Sequence, residues 1–139
     1  MTESPVSIIP EASCWGYLAS QSLGRLAVID QDGTPEIFPI NYAVDGESIV
    51  FRSAAGSKLD ALATNSHVCF EADGWTEETG WSVIVDGRGE VVTDEVELKL
   101  LDKLPLLPWV PTVKPNYVRV TPTKDISGRT FTFGEEPAE

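Results

Sequence analysis

The sequence predicts a mainly β protein, a small and mostly antiparallel barrel with short helices around it. Three observations lead to this fold class. The chain has 139 residues, enough for one domain with one hydrophobic core. About six segments carry strand patterns in a meander-like order, and tight turns join most of them, which enforces antiparallel pairing. We therefore expect a single domain over residues 1–139, with 1–9 and 134–139 flexible.

The first half of the chain alternates helical and extended segments. Residues 11–20 open with an acidic residue and carry apolar residues at helical spacing, which predicts a short helix. A second short helix is expected from Lys58, with Ser57 as its N-cap and Asp60 completing a capping box. The predicted strands of this half are 24–30, 35–44 and 47–52, joined by turns at 31–33 and 45–46.

The second half contains four more strands, one helix and a proline-rich segment. Residues 94–103 predict a helix, because Asp94 suits an N-cap and apolar residues follow at helical spacing. Four prolines between positions 105 and 115 exclude regular structure there. The apolar residues of the helical segment are Val96, Leu100, Leu101 and Leu104. The predicted strands are 67–72, 81–93 with a bend near Gly87 and Gly89, 117–121 and 125–133.

The charge balance excludes several classes of partner. Ten Lys and Arg stand against 22 Asp and Glu, for a net charge of −12. A chain so poor in cations is not expected to bind nucleic acid or an anionic membrane. The cysteines Cys14 and Cys69, with His67 as the one histidine, are too few for a disulfide scaffold or a structural zinc site, and no metal is expected. No apolar run is long enough to span a bilayer and the N-terminus is not a secretory signal, so we expect a cytoplasmic protein.

One stretch carries candidate chemistry, the segment FRSAAGSKL at 51–59. A strand delivers Arg52, small residues allow a close turn, and a helix begins near Lys58. Helix N-termini favour anions, so both cations, the hydroxyls of Ser53 and Ser57 and the turn amides could converge on one phosphate. The same residues also fit an ordinary capped surface helix. From the pattern alone both interpretations stay open.

Longer stretches of the sequence resemble a known family. GRLAVID, PEIFPINYAVDGESIVFRSAAGSKLDAL, GWSVIVDGRGEVVTD and YVRVTPTKDISGRTF follow one another as in the pyridoxamine-phosphate-oxidase-like flavoproteins, over about residues 12–133. The GSKL-containing pattern resembles the nitroimidazole-reductase-like branch more closely. The resemblance implies an FMN-binding split barrel, a six-stranded antiparallel Greek-key barrel with short peripheral helices. It also implies a homodimer with FMN in a groove between the protomers.

The resemblance assigns roles to ten residues. The FMN phosphate is expected at Arg52, Ser53, Ser57 and Lys58. The isoalloxazine edge is expected along Pro39, Ile40, Asn41 and Tyr42, and Trp81 and Ser82 are expected to reach the flavin of the partner protomer. A flavin ring needs a flat apolar wall with a few donors, and IFPIN offers one if Pro39 interrupts sheet pairing. Because cations are scarce outside 52–58, a ligand with a single phosphate is expected.

The resemblance implies an FMN-dependent oxidoreductase acting on a small organic substrate. No side chain stands out as an obligatory acid or base, because the flavin supplies the redox chemistry. Pyridoxamine-phosphate oxidase activity itself is not expected, since the chain ends GRTFTFGEEPAE without the paired arginines of the authentic oxidases. The alternatives are a non-catalytic flavin-binding or sensing protein and a deazaflavin-dependent reductase.

Several further residues favour structural roles. We expect Trp15 and Tyr17 in the core, Cys69 as a small core hydrophobe and His67 in a structural role. An acidic group is predicted at a solvated hairpin tip, namely Glu71, Asp73, Glu77 and Glu78. Three positions stay open. Trp81 suits either a flavin contact or a side chain that fills a barrel seam. Trp109 suits a lid, a dimer contact or a surface loop, and Arg129 suits a place near the phosphate or at the interface.

Overall fold

The computed structural model describes residues 4–106, 110 and 112–138. Three helices and eight strands follow one another along these residues. The elements are β1 Val6–Ile9, α1 Glu11–Ala19, β2 Leu23–Ile29, β3 Pro35–Val44, β4 Ile49–Ser53, α2 Ser57–Thr64, β5 His67–Trp75, β6 Thr79–Val91, α3 Glu95–Leu101, β7 Asn116–Pro122 and β8 Ser127–Thr132.

Six strands close into an antiparallel barrel. The order β6-β5-β2-β3-β4-β7 is closed by pairing between β7 and β6. Closure removes the free edges that an open sheet would present. Strands β8 and β1 extend the sheet from the other half of β6. The predicted mainly β fold with a six-stranded antiparallel barrel and short helices is confirmed.

Strand β6 is long because two strands, β8 and β7, pair with successive parts of the same edge. Its residues 79–84 pair with β8 and its residues 87–91 pair with β7. A Cβ atom at Gly87 would lie 2.5 Å from the carbonyl oxygen of Thr121. Strands β6 and β7 therefore approach closely at this point because residue 87 is a glycine. The glycines that led us to expect a bend therefore lie where β6 changes partners.

The core follows from the alternation of side chains along the strands. In β2, every second residue is buried, and Leu26 and Val28 point into the barrel. Phe51 and Phe70 are fully buried and fill the interior together with valines of β6 and β7. Helix α1 covers one end through Cys14 and Leu18, which are also fully buried.

One feature near the start of the chain differs from the sequence analysis. Residues Val6–Ile9, within the segment expected to be flexible, form strand β1 and pair with β8. Four residues are too few for a clear alternation, and only Ile9 is buried. Residues 134–138 carry no helix or strand, and the flexibility expected for 134–139 stays a prediction. Trp109 lies outside the described residues.

The start of α2 also differs from the prediction. The helix begins at Ser57, so Gly56 is its N-cap, and no side chain caps it. The prediction of Ser57 as N-cap with Asp60 in a capping box is therefore wrong. Helix α3, by contrast, begins as predicted: the Asp94 side chain accepts a hydrogen bond from the backbone N–H of Glu97 at 2.9 Å. Of its apolar residues, Leu101 is buried while Val96 and Leu100 are exposed.

Among the described residues, the structure contains no helix long and apolar enough to cross a membrane.

Candidate functional site

Three cationic side chains and part of strand β3 line one cavity of about 230 Å³ on the barrel surface. The cations come from three separate parts of the chain: β4, the first turn of α2 and the segment that follows α3. We call it the cation cavity, and the described residues that line it are Pro39, Ile40, Asn41, Arg52, Lys58, Leu106, Val110, Thr112 and Lys114.

The cavity lies where two strands of the barrel separate. Strand β3 pairs with β2 from Pro35 to Asn41, but its pairing with β4 covers only Tyr42 to Val44. From 35 to 41, β3 therefore has no pairing with β4, and Pro39, Ile40 and Asn41 of this stretch line the cavity. The prediction that Pro39 interrupts sheet pairing is wrong on the β2 side, where it lies opposite Arg25 in an unbroken ladder. Proline is tolerated at this position because the other edge of β3 has no pairing with β4 here. No ladder hydrogen bond is therefore lost with the missing N–H.

Arg52 enters the cavity from β4. In this strand Arg52 is exposed while its neighbours Phe51 and Ser53 are buried, as expected from side chains that alternate across a sheet. Its Nε donates a hydrogen bond of 2.9 Å to the carbonyl oxygen of Lys114. Its guanidinium carbon lies 5.2 Å from the centre of the Tyr117 ring, a cation–π distance. Both contacts hold the guanidinium plane against the cavity wall.

Lys58 enters the cavity from the first turn of α2. Its ammonium nitrogen lies 5.2 Å from the centre of the Phe38 ring, so β3 supplies part of its environment. Burial lowers the pKa of the Lys58 ammonium, and the positive charge of Lys114 lowers it further. A positive charge in the first turn also opposes the helix dipole. The ammonium therefore lies in a place that disfavours positive charge unless an anion is present.

Lys114 is the cavity residue that the sequence analysis missed. Its ammonium donates hydrogen bonds to the carbonyl oxygen of Val110 and to Oγ1 of Thr112. It belongs to a proline-rich segment about sixty residues from Lys58, so no local motif links the two. The sequence held only a weak signal for Lys114, the small number of cations. Because the chain has only ten, each one is a candidate for an anion site.

No carboxylate is among the described residues that line this cavity. Elsewhere among the described residues, Arg25, Arg119 and Lys124 form ion pairs with acidic side chains. The cavity cations form none within the described residues, although the protein carries a net charge of −12. Other described cations, such as Arg88 and Arg129, also form no ion pair, so the distinguishing feature is that three such cations share one cavity. This arrangement can accommodate an external anion.

Five of the ten predicted site residues meet in this cavity: Pro39, Ile40, Asn41, Arg52 and Lys58. The two serines do not line it. Ser53 is buried, and its hydroxyl donates to the carbonyl oxygen of Ala54 at 2.8 Å. Ser57 lines a separate shallow depression together with four carboxylates, an environment that disfavours phosphate. Those carboxylates are Asp30, Asp32, Glu36 and Asp60.

The three remaining predicted residues also lie away from the cavity within one chain. Tyr42 is buried, and its hydroxyl donates to the carbonyl oxygen of Leu18, which ties α1 to β3. Trp81 packs on Tyr17 of α1, with ring centres 5.2 Å apart. Ser82 follows it on β6, half-buried. The structure describes a single chain, so the predicted reach of Trp81 and Ser82 across a dimer stays a prediction.

A second charged group lies on the outer face of the sheet. Glu71 and Asp73 are on β5 and not at a hairpin tip, so that prediction is wrong for these two. Arg25 of β2 contacts Glu71 at 3.3 Å and Asp73 at 3.1 Å. Burial and the neighbouring Asp73 carboxylate raise the pKa of Glu71 to about 7, against the opposing effect of Arg25. No group of three or more metal-ligating side chains was found among the described residues.

The single histidine, a cysteine and an arginine complete the residues considered from the sequence. His67 is exposed at the start of β5. Cys69 is half-buried on the outer face instead of in the core, opposite Asp86. Arg129 donates to the Ser127 hydroxyl and to the carbonyl oxygen of Gly128, and it does not line the cation cavity.

Comparison with known proteins shows the family of this chain. The model of the pyridoxamine 5'-phosphate oxidase family matches residues 10–130. The chain belongs to this family. The match includes every residue of the cation cavity and all ten residues that the sequence analysis selected.

Two solved structures and one further protein are similar to this chain. A crystal structure from Corynebacterium glutamicum is 42% identical with a TM-score of 0.86, covering 98% of this chain and 100% of that one. The FAD-binding protein from Mycobacterium smegmatis is also 42% identical, with a TM-score of 0.79 over 91% of this chain and 99% of that one. Protein Rv3129 from Mycobacterium tuberculosis is 43% identical over 94 residues, 68% of this chain and 84% of that protein. The nearer branch within the family stays a prediction.

Proposed function

We propose that this protein binds a flavin in the cation cavity and uses it as an oxidoreductase on a small organic substrate. The observation that carries the proposal is the meeting of Arg52, Lys58 and Lys114, none of them paired with a described carboxylate, beside the wall formed by Pro39–Asn41. The phosphate of a flavin supplies the missing negative charge, and its ring is a flat apolar body that suits such a wall.

The phosphate end is assigned to Arg52 and Lys58. Arg52 has five N–H donors in a fixed fork, and within the described residues only its Nε–H is bonded to protein. Burial and the charge of Lys114 lower the pKa of the Lys58 ammonium, so an anion beside it relieves that cost. This assignment keeps the two cations expected from the sequence. It does not use the hydroxyls of Ser53 and Ser57, because neither lines the cavity.

The flavin ring is assigned to the strand segment Pro39–Asn41. Ile40 and Pro39 supply apolar surface, and the Asn41 side chain supplies a polar group. When bound, the flavin supplies hydride or electron transfer, and the protein binds, orients and shields it. No acid or base among the described residues lines the cavity apart from the cations, in keeping with chemistry that belongs to the cofactor.

We propose further that a second copy of the chain completes the site. The cavity of one chain, about 230 Å³, is smaller than the roughly 300–1,000 Å³ of pockets that enclose a drug-sized ligand. A flavin bound there extends beyond it. Trp81 and Ser82 are the residues proposed to reach the flavin from the partner.

The flavin proposal is tested by the visible spectrum of the purified protein. We expect flavin absorption bands, or their appearance after incubation with FMN or FAD followed by desalting. A colourless protein that retains neither flavin contradicts the proposal. Addition of NADH or NADPH in a stopped-flow instrument then separates an enzyme, whose flavin is bleached, from a passive flavin carrier. Retention of a deazaflavin in place of FMN or FAD supports the reductase alternative.

The shared site is tested by mixing two defective variants. Arg52→Ala with Lys58→Ala removes the phosphate contacts, and Trp81→Ala removes the proposed partner contact. If each site needs both chains, a dimer formed from one copy of each variant contains one intact site. We expect flavin binding to recover after the two variants are mixed and allowed to exchange. Failure to recover in a protein that native mass spectrometry shows to be a mixed dimer contradicts the shared site.

A further inference from the structure

Side chains on the outer face of the sheet form three rows that cross the strands. The middle row consists of Ser127, Ile84, Glu71, Arg25 and Pro39, one residue each from β8, β6, β5, β2 and β3. The flanking rows are Ile8, Arg129, Ser82 and Asp73 on one side and Asp86, Cys69, Ala27 and Ile37 on the other. We call these positions the outer patch. Glu71 lies at its centre, as the middle residue of the middle row.

The outer patch has apolar surface and is accessible in a single chain. Ile8, Ile37 and Ile84 are 74%, 70% and 41% exposed, whereas the alternate residues of β2 and β5 are buried in the barrel. A molecule that covers these isoleucines removes apolar area from water, which favours association. The middle row ends at Pro39, which lines the cation cavity. A molecule docked on the outer patch therefore borders that cavity.

Two carboxylates at the centre of the outer patch share one cation. Nη1 of Arg25 lies 3.3 Å from Oε1 of Glu71 and 3.1 Å from Oδ1 of Asp73. Within the described residues, neither carboxylate forms an ion pair with a second cation. The three side chains carry one excess negative charge when both acids are ionised, and a single proton makes them neutral. Burial and the Asp73 carboxylate raise the pKa of Glu71 to about 7, so that proton is lost near neutral pH.

The charge of the outer patch selects a second copy of this chain as the molecule that covers it. The patch contains two arginines, Arg25 and Arg129, and three carboxylates, Glu71, Asp73 and Asp86. Lys124 pairs with Asp86 at 3.3 Å from outside the patch. The patch is therefore within about one charge of neutral, whereas the whole chain carries −12. A symmetric contact brings a surface against its own copy, so in so acidic a protein it needs a nearly neutral surface.

We propose that the second copy docks on the outer patch and that docking depends on a proton held between Glu71 and Asp73. The inference rests on the second copy of the proposed function and names its surface and its regulation. The centre of a symmetric contact lies near the twofold axis, so Glu71 approaches the same residue of the partner. Two ionised carboxylates repel there, and docking also removes them from water. The proton therefore stays bound in the dimer, and its release to solvent as the pH rises through about 7 separates the copies.

The other groups around Glu71 keep their charge near neutral pH. The titratable and charged side chains that face it are Arg25 of β2, Cys69 and Asp73 of β5, Asp86 of β6 and, two strands away, Arg129 of β8, with Tyr42 of β3 on the inner side. Burial raises the pKa of the Cys69 thiol, and Asp86 raises it further. Burial, Glu71 and Asp73 likewise raise the pKa of Tyr42. Glu71 is thus the group of this set whose charge we expect to change between pH 6 and 8.

The proton dependence is tested by sedimentation equilibrium at pH 6 and pH 8, without added flavin. We expect the wild type to self-associate at least about tenfold more weakly at pH 8, the effect of one proton over one pH unit above its pKa. Glu71→Gln is expected to associate equally at both pH values, about as tightly as the wild type at pH 6. Glu90→Gln, at an exposed position of β6 outside the patch, is the matched control and should keep the pH dependence. His67→Gln should also keep it, although histidine ordinarily titrates in this range.

The surface itself is tested by a charge placed beside Glu71. Ile84→Asp is expected to weaken self-association at least about tenfold at both pH values, because it puts an added charge next to the twofold axis. Val96→Asp, at an exposed position of α3, adds the same charge away from the patch and should associate as the wild type does. Thermal unfolding shows whether each variant is folded. Equal association of a folded Ile84→Asp and the wild type overturns the assigned surface.

The outcomes separate this inference from the proposed function. A wild type that is monomeric at both pH values, or that associates equally at both, overturns the inference whether or not flavin is retained. Loss of the pH dependence in His67→Gln but not in Glu71→Gln overturns it as well. If no flavin is retained but association depends on pH and on Glu71, the proposed function fails and the inference stands.

Discussion

The side chain of Arg52 donates a hydrogen bond from Nε to the backbone carbonyl oxygen of Lys114, at 2.9 Å. This bond joins β4 to the segment after α3, which carries no regular structure of its own in the described residues. It also fixes one wall of the cation cavity relative to another. Walls that are already held together lower the entropic cost of binding the proposed anion.

The paired cations Arg52 and Lys58 are predicted to carry most of the affinity for a flavin phosphate. Replacement of both by alanine removes two charge-assisted contacts, and we expect flavin affinity to fall by about 100-fold or more, near 3 kcal/mol. Fluorescence titration with FMN measures the change. The double variant Lys99→Ala with Lys103→Ala lowers the charge equally at exposed positions outside the cavity, and it is expected to bind as the wild type does. Equal losses in the two double variants would show a general effect of charge.

Tyr42 is predicted to act in stability and not in ligand binding. Its buried hydroxyl donates to the Leu18 carbonyl oxygen, so Tyr42→Phe leaves that acceptor without its partner. We expect the free energy of unfolding to fall by about 1–2 kcal/mol in urea denaturation. Flavin affinity should stay within about twofold of the wild type, because Tyr42 does not line the cavity. A variant of normal stability and weakened flavin binding would return Tyr42 to the ligand contacts expected from the family resemblance.

The Glu71 carboxyl is predicted to make stability depend on pH. Burial and Asp73 raise its pKa from 4.5 to about 7, so the folded protein holds this proton more tightly than the unfolded chain does. The resulting stabilisation is present in full below about pH 4.5 and is lost as the pH rises through about 7.

Glu71→Gln tests this dependence because glutamine resembles the protonated carboxyl. Between pH 4.5 and 8, we expect the Tm of the wild type to fall relative to that of the variant by about 5 °C. Glu90→Gln, at an exposed position of β6, is the matched variant and should run parallel to the wild type. A difference between wild type and Glu71→Gln that stays constant with pH would contradict the raised pKa.

Two glycines are predicted to respond in opposite directions to alanine. A Cβ at Gly87 would meet backbone atoms of Thr121, the nearest at 2.5 Å, where β6 and β7 close the barrel. Backbone cannot move aside as a flexible side chain can, so Gly87→Ala is expected to destabilise by about 1–3 kcal/mol. Gly16 lies within α1 with no atom within 4 Å of an added Cβ. Gly16→Ala is expected to stabilise by about 0.5–1 kcal/mol, because alanine favours helix. Thermal unfolding of the two variants checks both signs.

Local patterns predicted most of the secondary structure. The predicted bounds 35–44 coincide with β3, and the predicted helices correspond to α1, α2 and α3. Alternation and turn residues act over a few positions, so they can be recognised without knowing the partners of a strand. Strand β1 was missed for the converse reason: it has four residues, and its pairing with β8, more than a hundred residues away, is what makes it a strand.

Part of the candidate site could likewise be predicted from local sequence, and part depends on residues far apart in the chain. Arg52 and Lys58 lie six positions apart, and the strand, the turn and the helix start that present them are local features. The scarcity of cations in an acidic chain drew attention to them, and this too is a property of the sequence. By itself, the sequence determined a mainly β barrel and the family to which the chain belongs, and it predicted an anion site near 52–58.

Only the tertiary structure decided which side chains share the cavity. Closure of the barrel brings Lys114 to Arg52 and leaves Ser57 beside four carboxylates, while Tyr42 turns inward to α1. Each of these outcomes depends on contacts between residues far apart in the chain. Local spacing says which face of an element a side chain occupies, but the partner on that face is set by how the sheet curves and closes.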